Sequence, residues 1–80
     1  MKDWNELMPQ IEELEQNYAI QFQWFQRLKY LRVVMAEDNK EWEQIFDKRF
    51  YGEKFEAFKE GVTQLKQFMG TIDSEKYLIK

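Results

Sequence analysis

The sequence predicts an all-α protein, either a small three-helix bundle or a long helix packed against a shorter helical hairpin, with dimerisation available to complete the core. Three observations carry that expectation. No glycine or proline occurs between Gln10 and Tyr51, although the turns of β-rich folds lean on those residues. Apolar residues recur at steps of three and four along most of the chain. The 80 residues include no cysteine and no histidine. A disulfide and a histidine-bearing zinc site are therefore both unavailable as staples, and packing alone must hold a chain of this size.

The first helix is predicted over about 9–36. Its start has two candidates: Asp3, spaced from Glu6 as in a capping box, and Pro9, which suits the first helical position. At about 100° per residue, Trp4, Leu7, Ile11, Leu14, Tyr18, Phe22 and Phe25 share one narrow sector. A second sector, roughly a third of a turn away, holds Ile20, Trp24, Leu28, Leu31 and Met35. Continued forward, the first becomes Lys29 and Arg32; continued backward, the second becomes Glu13 and Asn17. Ile20, Phe22 and Trp24 also alternate with glutamines, as a half-buried strand would. No turn chemistry flanks them, so the helix is preferred.

Asp38 and Asn39 offer a cap for a second helix, 40–51, carrying Trp42, Ile45, Phe46 and Phe50. Gly52 is its natural stop. The third helix, 53–69, repeats Phe55, Phe58, Val62, Leu65 and Met69 at alternating steps of three and four, the seam of close helix packing. Ala57 and Gly61 add a small-residue patch beside Phe68, where another backbone could come near. Gly70 ends this helix. The tail, 71–80, has Asp73 or Ser74 to cap one last turn bearing Tyr77, Leu78 and Ile79, and the whole chain, 1–80, reads as one domain. Phe50-Tyr51-Gly52, placed between two predicted helices, resembles the Trp-x-Gly turn of small secreted helical-hairpin proteins, with phenylalanine in the tryptophan position. The likeness covers three residues and implies no function.

Function is expected to be binding without catalysis. The hydroxyl residues are Thr63, Thr71 and Ser74, with no histidine to activate them, which excludes hydrolase triads. Glu12, Glu13 and Glu15 lie on a polar helical face, not in an apolar pocket that would raise a carboxyl pKa. Glu37-Asp38-Asn39-Lys40-Glu41 lacks the alternating ligands and the glycine of a calcium loop. The glycines stand alone at 52, 61 and 70, so nothing cradles a phosphate. No cofactor or metal is expected.

Fourteen aromatic rings exceed what a small helical core needs, and surplus rings point to an interface. One neighbouring helix cannot cover both sectors of the first helix. Part of the first sector, Trp4, Leu7, Ile11, Leu14 and Tyr18, is therefore the expected partner-binding surface, with Glu12, Glu13 and Glu15 supplying specificity. The expected partner is another protein with a basic surface, and self-association into a homo-oligomer is expected beside it. The composition suits a small regulator or inhibitor of the phage or mobile-element kind. A self-associating assembly protein is the alternative reading, and a weak nucleic-acid binder using Arg27, Lys29 and Arg32 is a second. The formal charge of −3 argues against nucleic acid. With no signal-like opening and no apolar run near the roughly 20 residues of a membrane span, a cytoplasmic location is expected.

Overall fold

The computed structural model describes residues 3–79. Helix α1 (Trp4–Asn17) is followed by strands β1 (Ile20–Phe25), β2 (Tyr30–Ala36) and β3 (Gln44–Tyr51), helix α2 (Lys54–Met69) and a 3-10 turn, Ser74–Tyr77. The strands form one antiparallel sheet in the order β1-β2-β3. The fold is therefore α+β, which overturns the all-α bundle. The helix expected over 9–36 stops at Asn17, and both its second half and the helix expected over 40–51 are strands.

The first helix stops because strand geometry serves the next residues better. In a helix, Phe22 would sit about 200° from Ile20, and Val33 about 200° from both Leu31 and Met35. In strands, Ile20, Phe22 and Trp24 share one face, as do Leu31, Val33 and Met35. The register pairs Ile20 with Met35, Phe22 with Val33 and Trp24 with Leu31, joining them into one apolar layer. Tyr18 makes the change, taking extended dihedrals while its N–H still reaches Leu14 O at 3.1 Å.

Both helices cover this layer. Leu7, Ile11 and Leu14 of α1 join Leu31, Val33, Met35, Phe46, Phe50, Phe58, Val62 and Leu65 in a single buried cluster. Trp4 packs edge-on against Phe55 at 5.2 Å and Phe58 at 5.5 Å, which ties the start of α1 to α2. Gly61 is the point of closest approach between helix and sheet: a Cβ there would lie 3.0 Å from methyls of both Leu31 and Val33. The small-residue patch of the third helix is thus filled by β2.

Local signals hold even where the element differs. Asp3 caps α1 by accepting from Glu6 N at 3.2 Å, and Pro9 lies inside that helix. Asp38 does cap backbone, accepting from Lys40 and Glu41 N–H at 2.9 and 2.8 Å, but the turn leads into β3 and not into a helix. Gly52, with φ 124°, joins β3 to α2, so Phe50-Tyr51-Gly52 ends a strand and is no inter-helical turn. The tail docks: Ile79 N donates to Asn17 O at 2.8 Å, and Leu78 pairs with Tyr18. Among the described residues no helix is long and apolar enough to cross a membrane.

Candidate functional site

Alternation along the strands sends every second side chain to the face away from the helices. On that outer face the register aligns three cross-strand rows. Phe25, Tyr30 and Tyr51 form the first, Gln23, Arg32 and Arg49 the second, and Gln21, Val34 and Asp47 the third. The aromatic row lies beside the β1–β2 hairpin. Its rings touch in sequence, Phe25 and Tyr30 stacked at 4.7 Å and Tyr30 and Tyr51 tilted at 5.3 Å. Arg49 lies over the Tyr30 ring, 5.3 Å from its centroid.

These rings are open to solvent to different degrees, Tyr30 being half-buried between the other two. Tyr51 is 68% exposed and Phe25 37%, and Leu28 at the hairpin tip is 65% exposed. Exposed large apolar residues scattered singly need no explanation, but here three sit at one end of one sheet. The hairpin itself carries strain. Gln26, Arg27, Leu28 and Lys29 connect the strands without glycine or asparagine, and Lys29 takes the left-handed conformation, φ 54°, at a cost of about 1–2 kcal/mol. Trp24 Nε1 donates to Gln26 Oε1 at 2.8 Å, bracing the near side of the loop.

Charge is segregated on the same scale. No acidic residue occurs between Tyr18 and Ala36. The three strands and the first hairpin carry Arg27, Lys29, Arg32, Lys48 and Arg49 against one acid, Asp47. Asp47 is engaged by Arg32 through two hydrogen bonds, of 3.0 and 2.8 Å. Those bonds hold the Asp47 carboxyl below its ordinary range and raise the Arg32 pKa. Lys48 is in register with the inner face, so the outer face and its hairpin set Arg27, Lys29, Arg32 and Arg49 against Asp47, a local excess of positive charge on a protein whose formal charge is −3.

The sheet edges are guarded by other means. Partial burial beside β1 raises the Glu15 pKa, with the Phe22 backbone opposing the shift. On β3, Lys48 occupies an inner-face position, donates to Gln64 Oε1 at 3.3 Å and lies 5.8 Å from the Phe46 ring centroid. An inward-pointing lysine on an edge strand opposes strand-to-strand association.

The surface expected from the sequence is placed differently. Leu7, Ile11 and Leu14 are buried against the sheet, and Trp4 and Tyr18 are partly buried beside them, so these five supply core and offer little accessible area. They are core because residues expected to continue the helix form the sheet that covers them. Glu12, Glu13 and Glu15 are exposed on α1. Arg27, Lys29 and Arg32, expected on different sides of one helix, come together at the hairpin and the outer face. Arg49, Phe25, Tyr30 and Tyr51 were missed as a group, and their signal was the surplus of aromatic residues. Thr63 and Thr71 spend their hydroxyls on Lys59 O and Phe68 O within the α2 region. Comparison with protein-family models, curated proteins and solved structures finds no significant match to this chain.

Proposed function

We propose that the chain is a non-catalytic binding protein whose recognition surface is the hairpin end of the open sheet face. The carrying observation is the row Phe25, Tyr30 and Tyr51 on adjacent strands, with Tyr51 mostly in solvent, Phe25 and Tyr30 partly so, and Arg49 laid over the central ring. Covering the exposed Tyr51 ring would contribute about 1–2 kcal/mol and the partly covered Phe25 and Tyr30 less, and Tyr and Arg are residues that dominate binding hot spots.

A second reading rests on the exposed carboxylates Glu12, Glu13 and Glu15. They are exposed on α1 and could dock a basic partner protein, as an inhibitor or regulator would.

Affinity capture with paired variants separates the two. The double variant Leu28→Asp, Tyr51→Asp should lose the molecules that the wild-type chain retains, and Glu12→Lys, Glu13→Lys should keep them. The reverse pattern transfers the site to α1 and ends the first reading.

A further inference from the structure

Resting on that reading, we infer that the ligand of this face is single-stranded nucleic acid, with bases stacking on the aromatic row and phosphates meeting Arg49, Arg27 and Lys29. Two members of the row already stack, and the third is tilted by 40° against Tyr30. Phe25 and Tyr30 are within 22° of parallel, and Tyr51 ends the series with most of its surface free. A base added there continues the stack, a contact that works for any base because each has a π-face.

The next row supplies what the sugar-phosphate backbone needs. It lies two residues along each strand, about 6.6 Å away, and holds Gln23, Arg32 and Arg49. Arg32 is taken up by Asp47, while Arg49 rests on a ring where it can serve stacking and phosphate together. Gln21 and Gln23 add amide groups that both donate and accept, as base edges do. The absence of acidic residues from Tyr18 to Ala36, in a chain with 15 of them, complements a polyanion. A protein partner with an acidic surface would use the same cations, but it has no comparable need for flat rings aligned across three strands.

Fluorescence anisotropy of a labelled oligothymidine of about 12 nucleotides, titrated with the full chain, tests this. The expected result is saturable binding that weakens roughly tenfold between about 50 and 200 mM salt. Tyr51→Ala should weaken it by about fivefold or more, while Tyr51→Phe retains it. Arg49→Gln should also weaken it and make the salt slope shallower by about 0.7. Circular dichroism confirms that each variant is folded. Absence of binding at low salt overturns the inference, as does displacement by polyglutamate as effective as by unlabelled strand, which would assign an acidic protein. If capture by the wild type is lost in the Leu28→Asp, Tyr51→Asp variant and no strand binds, the surface stands and the ligand class fails. Strand binding indifferent to Tyr51 and Arg49 sinks the surface as well.

Discussion

The two faces of the sheet are built from the same three strands and treat their side chains in opposite ways. Leu31, Val33 and Met35 on the inner face are fully buried beneath both helices, whereas on the outer face Tyr30 and Arg32, toward the hairpin, remain partly open and Val34 and Ala36, toward the other end of β2, are buried. The inner face gathers aliphatic volume and tolerates one charge, Lys48, at its edge. The outer face gathers rings, guanidinium groups and amides. A sheet needs one covered face to be stable, so residue choice on the other face is free to follow a different demand. In this chain that face is where surplus rings and segregated cations accumulate.

The contrast can be broken most severely from inside. Leu65→Ala removes a side chain with no exposed surface and should cost about 3 kcal/mol in urea unfolding. Gly61→Val is the next test, because its added methyls meet Leu31 and Val33 already at 3.0 Å from a single Cβ. A loss of about 2 kcal/mol is expected from overpacking, and no loss would show that α2 can lift off the sheet freely.

Lys29→Gly sharpens the comparison, since it should separate stability from recognition. Relief of the left-handed strain should raise unfolding free energy by up to about 1 kcal/mol while binding at the hairpin weakens. The smallest effect concerns pH. Asp47 is depressed by its bonds to Arg32, so it stabilises the fold above its ordinary range, and that contribution is lost as pH falls through the depressed value. Stability of the wild type and of Asp47→Asn should therefore differ at neutral pH and converge in acid. A constant difference would place the Arg32 contact outside the stability of the sheet.

Much of the chain's punctuation was legible in its sequence. The 3–4 spacing of Phe55, Phe58, Val62 and Leu65 marks α2, Asp3 marks the start of α1, and Asp73 precedes the 3-10 turn of the tail. The strands were not read, for a specific reason. Ile20 and Trp24 are four residues apart, as are Leu31 and Met35, and a step of four satisfies both the strand period and the helical one. Only Phe22 and Val33, midway in each pair, distinguish them, because a helix would turn them away from their neighbours. The hairpin hid its turn as well, since Lys29 adopts a conformation usually left to glycine or asparagine.

The surface followed the same logic. Fourteen rings implied an interface, but which rings are spare depends on register, and register depends on the strands. Phe25 and Tyr30 flank one hairpin while Tyr51 is distant in sequence, and the three become a row only when β1, β2 and β3 pair. Once α1 is shortened to Asn17, Leu7, Ile11 and Leu14 pass from a supposed surface into the core.

The most direct test of the division between the faces is the urea unfolding free energy of the Leu28→Asp, Tyr51→Asp variant, measured beside the wild type and Leu65→Ala. The predicted result is a loss of no more than about 1.5 kcal/mol, the worth of the Tyr30–Tyr51 ring contact, against a loss near 3 kcal/mol for the core variant. A loss for the surface variant as large as that for Leu65→Ala would show that the aromatic end of the sheet holds the fold together and is not free to bind.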